Sequence, residues 1–167
     1  VAWDLIVSLR PLTQPSPVGA TSDPIGVLQN AWPWLSGAPN GPQSLRGKVV
    51  VVNFWTYSCI NSLRALPYLR SWSERYADKG LIVIGVHAPE FGFEKDPDKV
   101  RTALSELGVH YPSLQDNNYA VWQDFGNEGW PGIYFIDAKG RVRGYRLGEG
   151  SYAQGEQLIR KLLSESG

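Results

Sequence analysis

The chain has 167 residues, 43% of them hydrophobic, with seven Trp and eight Tyr, and 16 basic side chains balance 16 acidic ones. That size and apolar content fit one globular domain with a sizeable core, and the zero net charge argues against a nucleic-acid partner, which demands a basic excess. No run of 18 apolar residues occurs, so no segment reads as a membrane-spanning helix. A single cysteine leaves neither an internal disulfide nor a Cys-based zinc site. The chain opens on Val1 and contains no Met, the pattern expected of a processed or excised product whose targeting segment is gone.

Residues 1–44 read as an extended N-terminal arm with short strands, and 45–167 as the folded domain. "RPLTQPSPVGATSDP" is rich in Pro, Ser and Gly, as irregular chain is. "VAWDLIVSL" before it is apolar but too short for an anchor. Trp32 and Trp34 in "LQNAWPWLSG" are expected to cover core surface, because large aromatics dominate burial. "KVVVVNFW" (48–55) is continuously apolar and β-branched, like a strand buried on both faces. "CINSLRALPYLRSWSERYADKG" (59–80) is helical: Leu63, Leu66, Leu69, Trp72 and Tyr76 recur every three or four residues, and Gly80 ends the run. "LIVIGVHA" (81–88) is a second buried strand. "DPDKVRTALSELG" (96–108) has Asp96 as N-cap and Pro97 in the first helical position. A short strand near "YPSLQD" and a short helix near "NNYAVWQDFG" follow. "GIYFIDAKGRVRGYRLG" (132–148) reads as a hairpin turning at 138–140, and "SYAQGEQLIRKLLSES" (151–166) as a closing helix. Strands alternating with helices, then a hairpin and a helix, specify a mixed α/β sheet with helices on both faces.

Cys59 falls where the first buried strand hands over to the long helix. A cysteine reacts as its thiolate, and a helix N-terminus offers free N–H groups and a positive dipole end to that anion. Strand-to-helix turns are also where α/β folds place ligands. A lone cysteine is otherwise most often an inert packed thiol; here its position favours reactivity.

"VVVVNFWTYSCINS" resembles the strand and active-site turn of the thioredoxin fold, which carries Cys-x-x-Cys. Pro67 matches that family's helix-kinking proline. "WPGIYFID" resembles the segment with its cis-proline, which assigns Pro131, preceded by Trp130, opposite the cysteine. The extra strand and helix between Cys59 and Pro131 resemble the TlpA/ResA-like branch. "WTYSCIN", "GVHAPEF" and "GEGSY" are most similar to the extracytoplasmic domains of DipZ-type proteins. The resemblance covers roughly residues 45–165. It implies a three-layer thioredoxin-like fold with a strand–helix insertion, and a thiol–disulfide oxidoreductase that reduces protein disulfides without a cofactor or metal. It further implies a periplasmic or otherwise extracytoplasmic location, a membrane electron donor of the CcdA or DsbD kind, a role in cytochrome c biogenesis, and a monomer.

In that family the first cysteine attacks a substrate disulfide and the second resolves the mixed disulfide. Residues three apart share a helix face, and here the second position is Ser62, whose hydroxyl cannot form a disulfide. Exchange would stall at the mixed disulfide. The serine is read as an engineered replacement of a cysteine; the other reading is a natural monothiol protein reduced by an outside thiol. Two acids of the family are also missing: the buried Asp position is Asn53, and the Glu position of the ResA-like branch is Ala65. The nearest carboxylate for proton transfer is Glu90 in "HAPEF", with Glu94 second; the alternative is a solvated loop glutamate. Trp130 and Pro131 are expected to leave an edge on which substrate backbone can pair. Trp55 and Tyr57 flank the turn as docking candidates, although core packing is the plainer reading of Trp55. His87, in an apolar strand, is expected to be a hydrogen-bonded core histidine. His110 has no second metal ligand nearby, and Arg141, Arg143 and Arg146 are expected to form a solvated face.

Two alternatives stand beside the oxidoreductase. Thr56, three residues before Cys59, half-matches a peroxiredoxin-like Pro-x-x-x-Thr-x-x-Cys pattern whose proline position is Val52, which would make a one-cysteine thiol peroxidase. A redox-inactive peptide- or glycan-binding module would use the aromatics alone.

Overall fold

The computed structural model describes residues 12, 16–17, 19–37 and 45–166; the apolar opening 1–9 lies outside the described residues. In chain order the elements are α1 (Pro24–Asn30), β1 (Trp34–Ser36), β2 (Val49–Trp55), α2 (Ile60–Tyr76), β3 (Leu81–His87), α3 (Pro97–Glu106), β4 (Ser113–Gln115), α4 (Ala120–Phe125), β5 (Gly132–Ile136), β6 (Val142–Leu147) and α5 (Tyr152–Ser166). Single 3₁₀ turns at Ala77–Lys79 and Gly92–Lys95 follow α2 and β3.

All seven residues of β2 are buried, because β2 is flanked on both sides. The strand order is β1-β4-β3-β2-β5-β6. β2 runs parallel to β3 with Trp55 opposite His87, and antiparallel to β5 with Phe54 opposite Gly132. The C-terminal ends of β2 and β3 and the start of β5 therefore share one edge of the sheet, and the residues leaving that edge build the site.

Alternation along β2 divides the core in two, since successive side chains point to opposite faces. Val49, Val51 and Trp55 pack with Leu66, Leu69 and Trp72 of α2 and Ile159 and Leu162 of α5. Val50, Val52 and Phe54 pack with Ile25 and Leu28 of α1 and Val121 and Phe125 of α4. Each fully buried aliphatic or aromatic side chain contributes roughly 1.5–3 kcal/mol, so β2 contributes to the stability of both layers. The layers approach closely: a side-chain carbon on Gly155 of α5 would stand 2.9 Å from the Phe135 ring.

The regular elements match the periodicities read from the sequence. Gly80 closes the α2 region at φ 102°, and the Asp96 carboxylate caps α3 by accepting from the Asp98 N–H at 2.9 Å. The differences lie elsewhere. Residues 24–30, expected to be irregular, form α1. Asp23 accepts from the Gly26 N–H at 3.1 Å, Pro24 occupies a first-turn position, and Ile25 and Leu28 are buried. Trp34 packs against the core as expected, whereas Trp32 is 84% exposed. Arg141 and Arg143, at the start of the second hairpin strand, do not form a simple solvated face. Arg141 and Arg143 both pair with buried Asp137, and Arg143 also pairs with Glu165. Burial pushes the Asp137 carboxyl up, but hydrogen bonds from the Arg141 backbone and both guanidinium groups outweigh it and hold it below its ordinary value.

Candidate active site

β2 ends at Trp55, and Thr56–Ser58 turn the chain into α2. Cys59 is the N-cap residue of α2 in extended conformation, with no side-chain capping bond. Its backbone N–H donates to the Thr56 carbonyl at 3.3 Å and its carbonyl accepts from the Leu63 N–H at 3.0 Å. The backbone is thus committed to the turn and the helix, while the sulfur is half-buried and free. It stands at the positive end of a helix of 17 residues, where the unpaired N–H groups of the first turn favour an anion.

Ser62 is fully buried. Its Oγ accepts from the Thr56 N–H at 3.4 Å, behind Cys59 on the inner side of the turn. Thr56 is also buried, and its Oγ1 lies 3.4 Å from His87 Nε2. That hydroxyl is directed at the histidine beneath the turn.

His87 is the expected hydrogen-bonded core histidine, and it supports the turn. The Tyr57 backbone N–H donates to Nε2 at 3.3 Å. A backbone N–H can only donate, so Nε2 carries the lone pair and the neutral ring holds its proton on Nδ1. The ring stacks on Tyr57 at 5.5 Å and meets Trp55 edge-on at 5.1 Å. Burial lowers its pKa to about 4. An unfolded histidine titrates near 6.5, so below that value the unfolded state binds the extra proton first. The stabilisation is complete above pH 6.5 and is lost as the pH falls through about 4, amounting to roughly 3 kcal/mol. Titrating the ring by NMR should give a midpoint near 4. The stability difference between the parent and His87→Gln should shrink by that same roughly 3 kcal/mol between pH 7 and pH 4. A midpoint near 6.5 would refute both expectations.

At the start of β5 the Trp130–Pro131 peptide is cis. Pro131 is buried. Trp130 Nε1–H donates to the Ala88 carbonyl at 2.8 Å, tying this loop to the end of β3. Behind it, Asn127 Nδ2 donates to the Gly129 carbonyl and Asn127 Oδ1 accepts from the Tyr134 hydroxyl at 3.0 Å. A side-chain carbon on Gly132 would lie 2.3 Å from Asn127 Oδ1, so glycine at this position lets the loop close. Asn127 escaped the sequence reading; the glycine directly after Pro131 was the available sign of a close approach.

The structure redistributes the remaining site residues. Trp55, a docking candidate, is completely buried: it points into the core, its Nε1 3.3 Å from where a Gly85 side chain would begin. Tyr57 is half-buried on the rim, its ring edge-on to Phe93. Glu90, ranked first among the carboxylates, is exposed on the loop after β3. Glu94, ranked second, is fully buried. Its Oε1 accepts from the Ser58 hydroxyl at 2.8 Å and from the Phe91 N–H at 3.3 Å. Of the two acids, Glu94 is the one that bonds to the residue preceding Cys59. Asn53 is buried beneath α2, where its uncharged amide avoids the cost of an unpaired buried carboxylate. Ile60, Phe91 and Phe93 are each more than half exposed, an apolar rim beside the half-buried thiol.

The Redoxin family matches residues 37–157. The chain is 49% identical over 136 residues to Protein DipZ of Mycobacterium bovis, an alignment covering 80% of this chain and 20% of DipZ. It therefore spans about a fifth of that relative's length. It is 27% identical over 143 residues to the thiol-disulfide oxidoreductase YkuV of Bacillus subtilis, covering 86% of this chain and 96% of YkuV. The crystal structure of a thiol-disulfide isomerase from Corynebacterium glutamicum has the same fold. Its TM-score is 0.74 at 23% identity, over 92% of this chain and 96% of that one. With a half-buried thiol at a helix start, a buried residue three positions on and a cis-proline on the same sheet edge, the chain belongs to the Redoxin family and carries the thioredoxin-like fold of its thiol–disulfide oxidoreductases.

Proposed function

We propose that this domain is a thiol–disulfide oxidoreductase that reduces protein disulfides through Cys59. The observation that carries the reading is Cys59 itself: a half-buried N-cap residue whose backbone is fully engaged while its sulfur is not. The thiolate attacks one sulfur of a substrate disulfide. The new Cys59–substrate bond forms as the old bond breaks, and the second substrate sulfur leaves as a thiolate that takes a proton from water.

Ser62 occupies the position of a resolving cysteine and holds no sulfur, so the reaction of this chain ends at the mixed disulfide. We read Ser62 as a cysteine-to-serine replacement. Tyr57, Trp130 and Pro131 are assigned to substrate docking, and the apolar rim of Ile60, Phe91 and Phe93 favours protein substrates over small polar disulfides. The likeness to DipZ supports an extracytoplasmic setting, an electron donor of the CcdA or DsbD kind and a role in cytochrome c biogenesis. No helix among the described residues is long and apolar enough to cross a membrane, and we assign the domain as a monomer.

Incubation with a disulfide-bonded protein such as insulin tests the reading. A long-lived adduct should form at Cys59, released by dithiothreitol and absent from Cys59→Ala. A chain that forms no such adduct with insulin or with oxidised glutathione would not be an oxidoreductase.

A further inference from the structure

We propose that residues 88–95 form a bracket that holds the cysteine's turn in register with the Pro131 loop, and that Glu94 is its positioning residue. The inference rests on the disulfide-exchange reading and concerns how that site meets a folded protein.

The bracket is fastened at both ends. At its start the Ala88 N–H donates to the Trp55 carbonyl at 3.0 Å, and the Ala88 carbonyl accepts from Trp130 Nε1–H. One residue therefore touches both the strand that leads to Cys59 and the loop that holds Pro131. The Tyr119 hydroxyl donates to the Pro89 carbonyl. At the other end the side chains of Gln115 and Asn117 donate to the Lys95 carbonyl at 2.9 and 3.0 Å. Between these anchors one polar side chain of the bracket reaches the active-site turn: Glu94 accepts from Ser58, the residue before Cys59. The same oxygen accepts from the Phe91 N–H, so it fixes the bracket's own curvature as well. The Tyr57 hydroxyl adds a weaker tie to the Phe93 carbonyl at 3.5 Å.

Packing alone does not explain a glutamate here. Glu94 is fully buried, and its Oε2 has no hydrogen-bond partner among the described residues. A buried, incompletely satisfied carboxylate costs free energy that an apolar side chain of similar size would not. The placement is accounted for if the Ser58 bond serves the site. A fixed turn holds the sulfur at one distance from a substrate segment seated along the Pro131 loop, and small misplacements of a nucleophile slow reaction sharply. The outer side of the bracket carries Phe91 and Phe93, exposed and stacked 5.7 Å apart. It offers a docking partner an apolar ledge that a small reagent does not need.

The experiment compares two reactions of Cys59: mixed-disulfide formation with insulin, and alkylation by iodoacetamide, which needs no docking. Glu94→Ala should slow the first by about tenfold and leave the second within about twofold. Glu94→Gln, whose amide oxygen can still accept from Ser58, should recover most of the lost rate. Ser58→Ala removes the same bond from an exposed residue, so it tests the idea even if Glu94→Ala folds poorly, and it should show the same selective loss. The bracket is refuted if Glu94→Ala and Ser58→Ala react with insulin as fast as the parent. It is also refuted if both reactions slow equally, or if Glu94→Gln is as slow as Glu94→Ala. A parent chain that forms no adduct with insulin refutes the exchange reading instead.

Discussion

Ser62→Cys is expected to give a chain that cycles, where the parent is expected to stop at the mixed disulfide. Position 62 is fully buried one helical turn from Cys59, on the inner side of the active-site turn. A thiolate there attacks the Cys59 sulfur, an internal disulfide forms between the two positions, and the substrate thiol departs with the electron pair and takes a proton. Because both sulfurs belong to one rigid element, resolution becomes intramolecular, and the effective concentration of the second thiol exceeds that of any free reductant by orders of magnitude. The adduct lifetime should fall from hours to roughly seconds, the range spanned by disulfide reshuffling. Thiol titration of the oxidised variant should find no free cysteine, and insulin should be reduced catalytically with dithiothreitol as donor. A variant that keeps both thiols free after oxidation would remove position 62 from the site.

The largest effect on stability is expected from Phe54→Ala. Phe54 is completely buried in β2 and meets Trp122, Phe125 and Tyr134 edge-on at 5.9, 5.4 and 5.5 Å. Truncation removes this hub of the layer beneath α1 and α4 and leaves a cavity that the rigid elements around it cannot collapse into. The cost should be about 4 kcal/mol, a large share of the roughly 5–15 kcal/mol that holds a typical domain folded. The urea midpoint should drop by roughly 2 M at an unchanged slope. Because Tyr134 carries the bond to Asn127, and Asn127 shapes the Pro131 loop, adduct formation should slow as well. A loss below about 1 kcal/mol would mean that the cluster repacks around the gap.

Much of this molecule was legible from local pattern. The seven buried residues of β2, the spacing of Leu66, Leu69 and Trp72, the Asp96–Pro97 helix start and the hairpin after Pro131 each express a rule that acts over a few neighbouring residues. Periodicity and capping place such elements without knowledge of the fold. The same kind of signal, Asp23–Pro24, marked α1 and was outweighed by the Pro- and Ser-rich chain before it. Resemblance then joined Cys59, Ser62 and Pro131 into one site.

By itself the sequence determined the α/β class, the order of the elements from β2 onward, the lone cysteine at a helix start and the absence of a second sulfur three residues on. The tertiary structure alone decided which way individual side chains face. It turned Trp55 inward and set His87 beneath the turn to receive the Tyr57 N–H. It brought Glu94 rather than Glu90 to Ser58 and linked Trp130 to Ala88, a residue 42 positions earlier. A glutamate in a loop carries no local mark of burial. Its environment is set by groups distant in the chain, with Ser58 lying 36 residues before Glu94, and such groups meet only when parallel strands bring their ends to one edge of the sheet.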